Sequence, residues 1–181
     1  ISKVGWRFDN TYSRLPKIML SQLSPYDFVA YGELEPFYEK ICDWLNIKRE
    51  NILLTCGSDT GIKAVYETYV NKKEEILISL PNYAMYSAYT LMFDGVEVQH
   101  IYNKDFTLDL DGFKKKINLK TKLVVLSNPS HTGTTISEKE IEQIIERAAS
   151  TESLVLIDEA YHYFSNETMI NYINNYHNLI I

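Results

Sequence analysis

The sequence predicts an α/β fold whose mainly parallel sheet carries helices on both sides, and three observations predict it. Short apolar runs such as "EEILISLP", "KLVVLSNP" and "LVLIDEA" have the length of strands buried on both faces. Segments with apolar residues at helical spacing separate these runs, and strands that alternate with helices build parallel sheets. Three of the runs end in the loops "TCGSDTG", "SNPSHTGTT" and "DEAY", at the strand ends where open α/β sheets gather ligands.

Each element follows in order. From Glu33 to Leu45, the residues Leu34, Phe37, Tyr38, Ile41, Trp44 and Leu45 mark one helical face, and Pro36 is acceptable in a first turn. "NILLTCG" reads as a short strand ending at Gly57, and Asp59 to Tyr69 returns to helical spacing through Ile62, Val65, Tyr66 and Tyr69. "EEILISLP" is a strand stopped by Pro81. A helix through "YAMYSAYTLMF", a strand "VEVQHI" and a short helix in "LDLDGFKKKI" come next. After the strand "KLVVLSNP", Ser137 and Glu140 stand at capping-box spacing and open a helix with Ile141, Ile144, Ile145 and Ala148 on one face. "LVLIDEA" and "NLII" complete the alternation, without internal repeats or Gly/Ser linkers. The chain starts at Ile1 rather than methionine and stops at Ile181 in or just after a strand, so this reading expects protein beyond both ends.

With 181 residues and 45% hydrophobic content the chain is long enough for one well-buried domain. A net charge of -6 and a pI near 5.2 argue against electrostatic binding to nucleic acid or to an anionic membrane. Lys114 to Lys116 is too short a basic run to reverse that and reads as a solvated helix face. Cys42 and Cys56 lack the spacing of a zinc site or disulfide framework, which fits a reducing cytoplasm. No apolar stretch approaches the ~18 residues of a membrane span, and "ISKVGWRFDN" lacks the apolar core of a signal peptide.

The chemistry concentrates in the three loops. Gly57, Ser58 and Asp59 stand at a helix N-terminus, where free N–H groups and the helix dipole favour a phosphate; an ordinary cap by Ser58 or Asp59 explains the same residues. Asp158 and Glu159 directly follow four apolar residues, so Asp158 faces a ligand at a strand end. The same pattern also suits the magnesium-binding strand of a nucleotide hydrolase, but the required upstream loop is wrong. In "GSDTGIKA" three residues rather than four separate Gly57 from Gly61, Ile62 precedes Lys63, and Ala64 stands where a hydroxyl is needed. His131 has no partner at metal-ligand spacing.

Taken together, "YGELEPFYEKICDWLNIKRENILLTCGSDTGIKAV", "LPNYAMYSAY", "LVVLSNPSHTGTTIS" and "LVLIDEAYHYF" resemble, in this order, the large domain of fold-type I, pyridoxal-phosphate-dependent aminotransferases, especially the histidinol-phosphate type. The resemblance runs from about Arg7 to Ile181. It implies a three-layer large domain over residues 31–181, incomplete here, after an N-terminal segment over 1–30. It matches Asp158 to the aspartate that pairs with the pyridine nitrogen, where a carboxylate that keeps the nitrogen protonated makes the ring an electron sink. Tyr161 matches the tyrosine whose hydroxyl meets the cofactor's phenolic oxygen, and Tyr83 the aromatic that stacks on the pyridine ring. Gly57, Ser58 and Asp59 match the phosphate loop, and Tyr31 matches a tyrosine that reaches the phosphate of a neighbouring subunit, although Gly32 follows it where proline is usual. Tyr86 and Tyr89 are assigned to packing.

Two departures qualify the match. The family loop N-P-N-N-P-T-G is one residue shorter here and lacks its second asparagine; Asn128 or His131 supplies the N–H donor to the cofactor, while register alone favours Ser130 or His131. The lysine that forms the Schiff base should lie a few residues past a strand like "NLII", and the chain ends first; Lys63, Lys104 and Lys122 read as surface residues. The resemblance implies an enzyme that moves an amino group between an amino acid and a 2-oxo acid or phosphorylated ketone, as a cytoplasmic homodimer. The chain as given should not transaminate by itself. Alternatives are a decarboxylase or lyase on the same scaffold and a shortened, non-catalytic binding protein.

Overall fold

The computed structural model describes residues 15–165 and 167–181. The start of the resemblance at Arg7, and the first part of the segment expected over 1–30, lie outside the described residues. The chain divides into two compact units between Arg49 and Glu50, whereas the sequence reading ended its N-terminal segment at residue 30.

The described part of the first unit holds α1 (Leu15–Gln22), a 3-10 turn (Pro25–Phe28) and α2 (Glu35–Leu45). Ser24 and Asp27 form a capping box on the turn, and Pro36 sits in the opening turn of α2, where its missing N–H costs nothing. Asn46 takes the left-handed conformation (φ 53°) that ends α2. Arg49 returns to this helix, pairing with Glu35 at 3.1 Å and lying 3.3 Å over the Tyr38 ring.

The second unit is a sheet with helices on two sides. Its elements are α3 (Ser58–Tyr69), β1 (Glu75–Leu80), α4 (Met85–Met92), β2 (Val96–Ile101), α5 (Leu110–Lys116), β3 (Thr121–Ser127), α6 (Glu138–Ala149), β4 (Leu154–Asp158) and β5 (Leu179–Ile180). The order across the sheet is β2-β1-β3-β4-β5, and every pair is parallel. The expected parallel, helix-covered sheet is therefore present.

Strand alternation sorts the core into two faces. Leu77, Val124, Leu126, Val155 and Ile157 pack with Phe113 of α5 and with Ile141, Ile144, Ile145 and Ala148 of α6. Ile76, Ile78, Leu123, Val125 and Leu156 pack on the other side with Ile62 and Tyr66 of α3 and Tyr86 and Tyr89 of α4. The α6 capping box forms as the sequence predicts, with Glu140 accepting from the Ser137 N–H at 3.0 Å.

"NILLTCG" is corrected. Residues 52–55 are extended but form none of the five strands of the described sheet. The lysine run is corrected in part: Lys114 bonds Gln143 of α6 at 2.9 Å and pairs with Asp111 at 3.3 Å, tying helices together instead of pointing only into water.

Topology also locates the crevice. From β1 the chain crosses to β2 on one side, while β3 lies on the other side of β1, so the winding reverses between β1 and β3. α4 leaves β1 for one face and α6 leaves β3 for the opposite face, which opens a gap at the carboxyl ends of these strands.

Candidate functional site

Three loops rim that gap. Residues 81–84 follow β1, 128–137 follow β3 and 159–161 follow β4. A fourth contributor is the N-terminus of α3. Gly57 caps this helix with φ 83°, a left-handed value that favours glycine, and open space surrounds the position its Cβ would take. No side chain caps α3, so the expectation that Ser58 or Asp59 closes the helix end is overturned.

Asp59 has another task. Its two carboxylate oxygens accept the hydroxyls of Tyr83 at 3.2 Å and Tyr89 at 2.9 Å. Burial, followed by the Asp59 charge and hydrogen bond, pushes the Tyr83 hydroxyl's pKa above its ordinary value; burial and the Asp59 hydrogen bond do the same for Tyr89. Both stay protonated and keep donating. Asp59 thereby fixes the ring of Tyr83 over the gap.

The two adjacent carboxylates after β4 separate because alternation continues beyond the strand. Asp158 lies on the α3/α4 face, in line with Leu154 and Leu156, and Glu159 turns the other way. Glu159 accepts from the Thr168 hydroxyl and the Met169 N–H, both at 2.7 Å, and so anchors the segment that carries buried Met169. Asp158 accepts from the Tyr86 hydroxyl at 2.6 Å and from the Ala160 N–H at 3.0 Å. Tyr86 and Tyr89 are core residues as expected, 1% and 3% exposed, yet each also bonds an acid of the site. Sequence reasoning missed that second role; the only signal for it was the three-residue spacing of Tyr86 and Tyr89, which puts two phenols on one side of α4.

The expectation that Asn128 supplies an amide donor to a ligand is corrected. Asn128 is 1% exposed, its Nδ2 donates to the Ile136 carbonyl at 3.0 Å and its Oδ1 accepts the Ile136 N–H at 2.8 Å. It latches the loop closed. Ser130 is also buried and bonds Thr132 at 2.7 Å. That leaves His131, which is exposed at the loop's crest, parallel to Tyr83 (centroids 6.0 Å apart, 12° between planes) and edge-on to Tyr161 (5.5 Å, 84°).

The structure thus gathers Asp59, Tyr83, His131, Tyr161 and Asp158 along one rim, linked through Tyr86, whose ring meets that of Tyr83 at 5.7 Å. Tyr31 belongs to the first unit and is fully exposed. Lys63 pairs with Glu67 on the surface of α3 at 3.7 Å, away from any role in the loop before it. Among the described residues no group of three His, Cys, Asp or Glu could hold a metal ion, and no helix is long and apolar enough to cross a membrane.

Comparison with known proteins gives this arrangement a family. The chain is 34% identical over 149 residues to the histidinol-phosphate aminotransferase of Caldanaerobacter subterraneus subsp. tengcongensis, a match covering 81% of this chain and 42% of that protein. It is 36% identical over 149 residues to the aspartate aminotransferase of Sulfolobus acidocaldarius, covering 76% and 37% respectively. Its fold superposes on the histidinol-phosphate aminotransferase of Clostridium acetobutylicum with a TM-score of 0.75 at 22% identity, over 92% of this chain and 49% of the other. The chain spans less than half the length of these relatives. The model of aminotransferase class I and II matches residues 24–181, through the sheet and every loop of the rim, and the chain belongs to that family.

Proposed function

We propose that this chain is the cofactor-holding part of a pyridoxal-phosphate-dependent aminotransferase that moves an amino group between an amino acid and a 2-oxo acid or phosphorylated ketone, with histidinol phosphate as the favoured donor class. The observation that carries the reading is Asp158, a strand-end carboxylate held by two donors beside an oriented tyrosine ring. The chemistry of the donor set fits the cofactor. A carboxylate suits a ring nitrogen that must stay protonated, the face of Tyr83 already accepts a parallel ring in His131, and the α3 N-terminus offers uncapped N–H groups in open space to a phosphate.

Bound there, pyridoxal phosphate supplies an electron sink for the carbanion formed at the substrate's α-carbon. The chain's own residues do the rest of what is visible. Asp158 holds the proton on the ring nitrogen. Tyr83 orients the ring and shields one face from water, and the Asp59 carboxylate keeps Tyr83 in place instead of touching the phosphate itself. Gly57, whose own N–H donates to the Thr55 carbonyl at 2.8 Å, shapes the turn, and the N–H groups of Ser58 and Asp59 that follow it serve the phosphate. Tyr161 offers its hydroxyl, and His131 an N–H in place of the family's asparagine, to the cofactor's phenolic oxygen.

The family resemblance further supports a homodimer in which exposed Tyr31 reaches the partner's phosphate, working in the cytoplasm without nucleic acid or membrane; the net charge of -6 is consistent with that. The test is borohydride reduction of the full-length protein with pyridoxal phosphate and peptide mapping, beside assays of histidinol phosphate and aspartate as donors. A single pyridoxyl-modified lysine with turnover of histidinol phosphate is expected. Turnover of aspartate alone would reassign the donor, and the absence of any modified lysine would sink the enzyme reading.

A further inference from the structure

Sheet geometry brings three polar groups together beneath the rim. Ser127 ends β3 and Asp158 ends β4; the two are register partners and share the α3/α4 face. Between them arrives Tyr86 from α4, with its hydroxyl 2.6 Å from Asp158 Oδ2 and 2.7 Å from Ser127 Oγ. Ser127 and Tyr86 are buried, 6% and 1% exposed.

Proton counting assigns the direction of both bonds. An ionised carboxylate can only accept, and a phenol has one proton, so Tyr86 donates to Asp158. Its oxygen then accepts from Ser127, whose hydroxyl hydrogen has no better use. The result is a directed chain, Ser127 to Tyr86 to Asp158, in which each bond polarises the next. The Ala160 N–H holds the other carboxylate oxygen at 3.0 Å, so the plane of Asp158 is fixed from both sides. Two oxygens offer about four acceptor sites and two are taken, which leaves room for a further donor such as a ring N–H.

Resting on the reading of Asp158 as partner of the ring nitrogen, we infer that Tyr86, backed by Ser127, is a positioning residue that sets the orientation and the basicity of the carboxylate that nitrogen meets. A short phenol bond draws charge from Oδ2 and lessens its pull on the proton of the ring nitrogen. Burial, and then the charge of Asp158, raise the pKa of the Tyr86 hydroxyl far above its ordinary value, so the phenol stays a donor throughout the working range. Packing alone requires only the ring of Tyr86, which the hydroxyl does not help.

The test separates the two roles because Tyr86→Phe keeps the ring and removes the oxygen. It is made in the full-length protein loaded with pyridoxal phosphate labelled with 15N in the ring, together with Ser127→Ala. In Y86F the more basic carboxylate should draw the shared proton toward itself, so the ring-nitrogen resonance should move toward the unprotonated form, and kcat should fall about 10-fold with KM for the amino donor unchanged, the size of one lost hydrogen bond. S127A should move both in the same direction by less. Equilibrium binding of pyridoxal phosphate to apo Y86F, read by protein fluorescence, should weaken several-fold.

An unchanged nitrogen resonance in Y86F would overturn the assignment, including where the melting temperature drops, because that outcome leaves Tyr86 a packing residue only. Failure of the wild-type protein to bind pyridoxal phosphate is a different result. It would overturn the functional reading and this assignment with it.

Discussion

The two faces of the sheet use the same strands for opposite ends. Against α5 and α6 the strands present Leu77, Val124, Leu126, Val155 and Ile157, and the helices answer mainly with aliphatic residues. Against α3 and α4 they present Ile76, Leu123, Val125 and Leu156, but the helices answer with Tyr66, Tyr86 and Tyr89. A phenol buries a large apolar body and keeps one polar tip. Placing tyrosines on one face lets that core pack and still deliver hydroxyls to Asp59 and Asp158 at its upper end. The difference teaches that the site's hydroxyls grow out of one core layer, while the other layer backs the loops through Ile136 and Met169.

Substitutions on the two faces should therefore separate stability from chemistry. The largest effect belongs to the packing face: Ile144→Ala, at a fully buried position of α6, should cost about 2–5 kcal/mol by urea unfolding of the full-length protein, with affinity for pyridoxal phosphate in the folded fraction unchanged. A comparable loss of affinity would show that the faces are not independent. Next comes Asp158→Asn, which keeps the shape and removes the charge. It should lower kcat/KM about 100-fold, the worth of one strong charge-assisted hydrogen bond, and move the melting temperature by only a few degrees. Equal activity in D158N would break the assignment of the chemistry face.

Asp59→Ala tests the link between core and rim. It strips the acceptor from two tyrosine hydroxyls and should destabilise by about 1–3 kcal/mol while loosening Tyr83. Fluorescence anisotropy and cofactor affinity should both fall; unchanged affinity would mean that Tyr83 needs no such anchor.

The smallest effect lies at His100, on edge strand β2. It is 5% exposed and edge-on to Phe113, and both ring nitrogens lack partners among the described residues. Burial and then Lys116 depress its pKa, against a smaller opposing pull from Asp109. The unfolded chain therefore takes up a proton near pH 6.5 before the folded one does. Stability from neutral His100 is full above that value and is lost as pH falls through the lower folded pKa. His100→Leu should flatten the acid limb of the melting profile relative to wild type, and superimposable profiles would remove His100 from the account.

Much of the fold was legible locally. Periodicity located α2, α3, α4 and α6, and apolar runs located β1 to β4, because both patterns are written in neighbouring residues. The run "NILLTCG" misled for the same reason. It has strand-like composition, but composition is local and sheet membership is not, and the run is none of the five strands of the described sheet. Asp158 was legible as a strand-end carboxylate, since its place after an apolar run already implies the end of a strand.

Partners were not legible. Asp59 read as a cap because helix ends are local, whereas its actual partners Tyr83 and Tyr89 come from the loop and the helix beyond the next strand. Asn128 read as a donor to a ligand, and only the closed loop shows both ends of its amide engaged by Ile136. By itself the sequence determined which residues alternate, which turn into helices and which acids stand at strand ends. Tertiary structure alone decided which hydroxyl each acid receives, because strand register and helix docking bring together atoms that are far apart along the chain, and a hydrogen bond depends on tenths of an ångström.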